Sequence, residues 1–331
     1  MFNTRLADKM RTIASVWRQT KRVEAVRALY SRLHSNALRP NDTIPFAEAR
    51  FDDMSSFAAK VHGFVEELDK VLPGFRDTYD VFRAFAPDSV VLDVGAHWGY
   101  SVAAMRHQGC RSKIISIEAM ATNAASLNAL KTIENGRYDW INVALDSDEG
   151  TLTFHVPVVN GTAVTGLAST GRTLDDHGAN FAAGMAKTYP PKKWGAPDEF
   201  RLATITVRAT PLDNILYEYG GIVDKVVAVK IDIEGHEYHA LCGASKLLSY
   251  QRPLLMLEGA NRNTAVTGLL ADQGYFHCER RRDGRLVPHL VRSCALDGFF
   301  VHTSRVEEYR KLGIFEGETP TATERAVLAT G

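Results

Sequence analysis

From Val229 to His239 the chain reads VKIDIEGHEYH, and ionisable residues crowd a stretch that begins as a buried strand. Lys230, Asp232 and Glu234 alternate with Val229, Ile231 and Ile233, an alternation that puts three charges on one strand face. A central parallel strand is normally apolar on both faces, so charges there need partners or a task. Carboxylates at the carboxyl end of such a strand can orient a bound hydroxyl or take its proton. Asp232 and Glu234 are the candidates for that work, with His236 as the alternative base. Glu258, at the end of the later apolar run PLLMLEG, is expected to converge on the same mouth. Lys230 is expected to partner one of these carboxylates, which burial would otherwise raise in pKa. Two other readings remain open. Glu234–Gly235 could form only a strand-to-helix turn, its carboxylate capping helix amides. Asp232, Glu234 and Glu258 could hold a divalent cation, but the spacing does not demand one and no metal is assigned. His239, one helical turn on, is expected to be solvated or packed.

A second constellation lies earlier, in VVLDVGAHWGYS, residues 90–101. An apolar strand leads into Asp93, with glycines at 95 and 99 that let a turn bend sharply and approach a ligand. Glu118 ends the next apolar run, where a carboxylate can accept from ribose hydroxyls. The dinucleotide pattern G-x-G-x-x-G needs glycines where this chain has His97 and Tyr100, so a nicotinamide dehydrogenase is disfavoured. No GK[ST] follows, which excludes a P-loop. D-x-G-x-x-x-G with a later Glu suits S-adenosyl-L-methionine, which has no phosphates and a cationic end. The alternative is a glycine turn that only packs helix on strand. Trp98 either faces that cation or packs.

The elements that must carry these residues follow from periodicity. Strands are expected at 89–95, 113–118, 138–145, 151–157, 203–210, 226–232, 253–259, 274–280 and 297–303. Helical stretches between several of them imply an α/β fold with a mostly parallel sheet and helices on both faces. Ligands of such sheets sit at the carboxyl ends of the strands, where strand order reverses. The segment 157–203 reads as long and irregular, and is expected to act as a lid or binding loop. Residues 1–34 read as a helix and 54–85 as a second helical region, parted by the prolines of LRPNDTIP. The first helix carries eight basic residues against Asp8 and Glu24. Its basic face is expected in water, with the helix docked on the domain or on a second copy in a homo-oligomer. Peripheral contact with an anionic membrane is the alternative.

Composition narrows the class. Lys plus Arg and Asp plus Glu are equal at 39 each, so no global charge calls for nucleic acid. Four cysteines without a CxxC pair suit reduced thiols, and no apolar run is long enough to span a bilayer, so the cytoplasm is the expected compartment.

With VLDVGAHWGYS, IISIEAMATNAASL, INVALDSDEGTLTF, TPLDNIL, VVAVKIDIEGHEYHALCGA and PLLMLEG in that order, the chain resembles the FkbM family of S-adenosylmethionine-dependent methyltransferases. The resemblance covers about residues 88–303 and is most specific at K-x-D-x-E-G-x-E. It departs at EAM, residues 118–120, where the family usually has Glu-Pro. It implies the class I methyltransferase (Rossmann-like) fold, a seven-stranded sheet with the last strand antiparallel. The expected organisation is an N-terminal helical extension (1–80), a catalytic domain (81–315) with 157–203 inserted, and a tail (316–331). By the same resemblance Asp93, Gly95, Ala96, His97 and Gly99 line the methionine and ribose part of the cofactor. Glu118 and Ala119 lie at the ribose, and Asn142, Ala144 and Asp146 border the adenine. Asp146 could equally cap the turn that follows it. The implied reaction is methyl transfer to a hydroxyl oxygen of a sugar, glycan or polyketide-type molecule. An RNA methyltransferase, which would need a basic face around the cleft, and a non-catalytic cofactor-binding scaffold are the competing readings.

Overall fold

The computed structural model describes residues 43–49, 76–159, 161–163, 165–170, 200–220, 222–259, 263–289 and 297–324. In chain order come strand β1 (Thr43–Pro45), β2 (Val90–Val94), helix α1 (Tyr100–His107), β3 (Lys113–Glu118) and α2 (Ala124–Glu134). Next are β4 (Tyr138–Asn142), β5 (Ala144–Leu145), β6 (Gly150–Val159), β7 (Thr162–Ala163), β8 (Ser169–Thr170) and β9 (Phe200–Thr210). Then follow α3 (Leu212–Glu218), β10 (Val226–Ile231), α4 (Glu237–Cys242), β11 (Leu254–Glu258) and α5 (Thr264–Asp272). β12 (Tyr275–Arg280), β13 (Leu286–Pro288), β14 (Asp297–His302) and α6 (Val306–Lys311) complete the order.

These elements fall into two units, one drawn from residues 53–152 and 207–331, the other from 1–52 and 153–206. The larger unit is built on a mixed sheet in the order β13-β12-β14-β11-β10-β2-β3-β4. Strands β11, β10, β2, β3 and β4 are parallel, whereas β14 runs antiparallel to both β11 and β12. The central strands are Val-, Ile- and Leu-rich because both their faces are covered, and all five residues of β2 are buried. Alternate positions feed two cores. Val91, Ile114 and Ala228 pack with Val102 and Met105 of α1, Leu127 and Leu130 of α2 and Tyr309 of α6. Leu92, Ile115 and Val229 pack with Leu212 and Leu216 of α3, Leu241 of α4 and Leu270 of α5. The chain leaves β2 toward β3 and β4 and later fills the other side with β10 and β11, so strand order reverses between β2 and β10. The smaller unit carries a sheet in which β1 lies parallel beside β9 and the β6–β7 hairpin follows.

Several expectations change. The sheet has eight strands, not seven, because β12 turns back through Gly284 (φ +87°) into β13, with Arg280 opposite Leu286. Asp283-Gly284 is a hairpin signal in the sequence. The segment 157–203 is not wholly irregular. β6 runs to Val159 and pairs back onto β7, with Val159 opposite Thr162 and Gly161 at φ +78°. Asn-Gly supplies the positive φ values a tight hairpin turn requires. The expected strand 138–145 is split, because β5 pairs with Ala209 and Thr210 of β9 instead of continuing beside β3. The expected N-terminal helices at 1–34 and 54–75 lie outside the described residues, and residues 76–84 form a 3-10 helix. Among the described residues, no helix is long and apolar enough to cross a membrane.

One buried group makes the sheet sensitive to acid. His277 of β12 is 5 % exposed, with its ring centroid 5.2 Å from that of Phe300. Its Nε2 has no hydrogen-bond partner, and burial pulls its pKa from 6.5 to about 4. Between those values the unfolded chain binds a proton that the folded chain does not, so stability falls as pH drops from 6.5 toward 4. His277→Leu is expected to flatten that limb in urea unfolding measured at pH 7 and pH 4.5.

Candidate active site

The turn after β2 is shaped by backbone packing. Gly95 sits at φ +76°, and its N–H donates to the carbonyl of Ile117 at 2.9 Å. A Cβ on Gly95 would overlap the backbone carbonyl of Asp232, so this turn lies directly against the chain leaving β10. Gly99, at φ +88°, precedes α1, and a side chain there would overlap Leu130. Both glycines are thus required for packing. Between them His97 adopts φ +49°, and its N–H donates to Glu118 Oε2 at 2.7 Å. Its ring stacks on Trp98 at 4.5 Å, and burial, opposed by Asp232, lowers its pKa to about 4.

Beneath the turn lies a buried charge cluster. Lys230 is 2 % exposed, and its ammonium is 3.5 Å from Asp93 Oδ1, 3.3 Å from Asp232 Oδ2 and 3.1 Å from the carbonyl of Gly95. Ser101 and Ser116 donate their hydroxyls to Asp93 Oδ2 at 2.8 and 3.0 Å. Asp93 is entirely buried. Its work is to compensate Lys230. Burial alone would strip the lysine of its proton, but Asp232 and Asp93 outweigh it and hold the ammonium well above its usual range. Burial likewise opposes ionisation of Asp232, and Lys230 reverses the balance, so that carboxyl titrates below its usual range.

Three carboxylates meet at the mouth. Asp232, just past β10, Glu234 and Glu258, at the end of β11, bring one oxygen each to within 4.8 Å of one another. Such an oxygen set is also what a hard divalent cation takes. The phenol of Tyr100 donates to Asp232 Oδ2 at 3.4 Å, a partner that sequence reasoning had set aside as an obstruction to phosphate. The alternation that drew attention to these charges ends at Ile231. Asp232 and Glu234 lie on a turn, with Glu234 at φ +53° and Gly235 at φ +96°. Glu237 binds the turn amides: its Oε1 accepts from Ile233 and Gly235 at 3.2 and 3.1 Å. Its sequence signal is the last glutamate of K-x-D-x-E-G-x-E.

His236 does not join the mouth. The positive φ values at 234 and 235 turn the chain, and His236 is buried at 3 % exposure with Nε2 3.2 Å from Asp146 Oδ1. His239 stacks on it at 4.7 Å. Asp146 therefore serves this imidazole, and its Oδ1 also accepts from the amide of Ser147 at 2.9 Å, the turn-capping alternative. Asn142 donates its side-chain amide to the carbonyls of Glu118 and Ala119, closing the ends of β3 and β4 together. Glu118 accepts from three protein donors, His97, Met120 and Asn123. Ala96 and Ala144 are buried, and Ala119 is half-buried beside Glu118.

Residues 93–276, more than half of the chain, match the model described as the methyltransferase FkbM domain. The chain belongs to the FkbM methyltransferase family. A crystal structure of methyltransferase FkbM from Methylobacillus flagellatus KT is similar over 66 % of this chain, with 16 % identity and a TM-score of 0.40. The chain spans 44 % of the length of that protein. Precorrin-6y C5,15-methyltransferase from Geobacter metallireducens GS-15 is similar over 68 % of this chain and 84 % of its own, with 10 % identity and a TM-score of 0.32. No curated protein sequence matches. The family assignment rests on the match at 93–276, which holds the glycine turn and the acidic mouth alike.

Substitutions at Lys230, Asp93 and Gly95 test the supports of this family member's site. Lys230→Met should cost about 3–5 kcal/mol in urea unfolding by leaving Asp93 buried and uncompensated, and Asp93→Asn in the same chain should recover part of the loss. Gly95→Ala should cost about 3 kcal/mol, since a left-handed residue must also displace a backbone carbonyl.

Proposed function

We propose that the chain transfers a methyl group from S-adenosyl-L-methionine to a hydroxyl oxygen of a sugar- or polyketide-type small molecule. The observation that carries this reading is the meeting of Asp232, Glu234 and Glu258 at the strand ends where the order reverses, directly against the Gly95 turn. The residues present fit the cofactor. Carboxylates crowd the mouth, which suits a sulfonium and an ammonium and would repel a pyrophosphate. The amide of His97, which a dinucleotide would need, is bound to Glu118. Glu118 has four lone-pair positions and three protein donors, so one position is left for a ribose hydroxyl. Gly95, His97, Glu118 and Ala119 would hold the cofactor, with Asn142 at its adenine side. When bound, it would supply a methyl group on a positively charged sulfur.

The chain's own residues supply positioning and proton transfer. Asp232, kept ionised by Lys230, is a strong hydrogen-bond acceptor and a weak base, which suits orienting the acceptor hydroxyl. Glu234 and Glu258 lie beside it and are the groups to take the proton. Orientation supplies much of the remaining acceleration, because the attacking oxygen must lie in line with the bond that breaks. Calorimetry should show binding of S-adenosylmethionine and none of NAD; the reverse result would sink this reading. Asp232→Asn and Glu234→Gln should keep that affinity and lose about 100-fold or more in turnover on an acceptor found by screening sugars and polyketide alcohols with a tritiated methyl donor.

A further inference from the structure

We propose that Glu237 is a positioning residue of this site, holding Glu234 in the left-handed conformation that brings its carboxylate to Asp232 and Glu258. The proposal rests on the reading of Glu234 given above. Glu234 is not glycine, yet it sits at φ +53°, a conformation that persists only where the surroundings impose it. The imposing contacts are visible. Glu237 is 5 % exposed, and its Oε1 accepts the amides of Ile233 and Gly235, the residues on either side of Glu234. Neither amide belongs to α4, which begins at Glu237 itself. A helix cap of the usual kind would satisfy amides inside the first turn. These bonds instead pin the approach to the helix, on both flanks of one exposed carboxylate. With both flanks pinned, Glu234 reaches Asp232 and Glu258, and one oxygen from each of the three acids lies within 4.8 Å of the others.

The bonds need a carbonyl-type oxygen at the end of a side chain of this length, and no charge. Gln keeps that oxygen; Asp keeps the carboxylate and shortens the reach by one methylene. Glu237→Gln should therefore turn over within about twofold of the wild type. Glu237→Asp should lose about 100-fold in kcat, the scale of a misplaced reacting group, with affinity for S-adenosylmethionine and melting temperature little changed. In a Glu234→Gln background the same Glu237→Asp change should cost about twofold or less, because the residue it positions is already disabled. Hydrogen exchange at the amides of Ile233 and Gly235, which Glu237 binds, should quicken in Glu237→Asp and not in Glu237→Gln. The positioning role is overturned if Glu237→Asp multiplies its full loss onto Glu234→Gln, or if exchange at those amides is unchanged. If Glu234→Gln alone turns over like the wild type, the functional reading of Glu234 fails and the proposal fails with it.

Discussion

An ammonium with almost no access to water sits at the centre of a parallel sheet, and its neutralisation organises what surrounds it. Lys230 reaches Asp93 on β2, Asp232 beyond β10 and the carbonyl of Gly95. Breaking such a set by removing one member leaves an uncompensated buried charge, whereas the intact set is roughly balanced. The attraction draws together the ends of two neighbouring strands at the point where strand order reverses. It also decides the protonation of Asp232 before any ligand arrives. Every other feature of the mouth, from the Tyr100 phenol to the neighbouring glutamates, is arranged around a carboxylate whose charge is already set.

The strands were legible because their cause is local. Aliphatic and aromatic runs predict β2, β3, β10, β11, β12 and β14 to within one or two residues. The errors came from turns. Asn160-Gly161 and Asp283-Gly284 are hairpin signals, and overlooking them turned the first part of 157–203 into a loop and removed β13 from the sheet. The split between β4 and β5 had no such signal, since partner choice depends on β9, more than fifty residues away in sequence.

The site was legible in composition more than in geometry. Strand alternation singles out Asp232 and Glu234 but holds only as far as Ile231, whereas Glu258 follows from its place at the end of β11. A turn brings them together, and its positive φ values at a glutamate are not predictable from residue type. That turn also separates His236 from the acids and delivers it to Asp146. The burial of Asp93 was not legible for a related reason. An aspartate at the end of an apolar run faces either ligand or core, and the serines that decide the matter, Ser101 and Ser116, come from α1 and β3.

The contact between Gly95 and the carbonyl of Asp232 is one of backbone with backbone. Lys230 bridges the same two loops, its ammonium reaching the carbonyl of Gly95 and the carboxylate of Asp232, so their spacing is set by backbone contact and by this lysine together. A displacement of either loop is therefore felt by the other, and the glycine turn and the acid that faces it behave as a single piece.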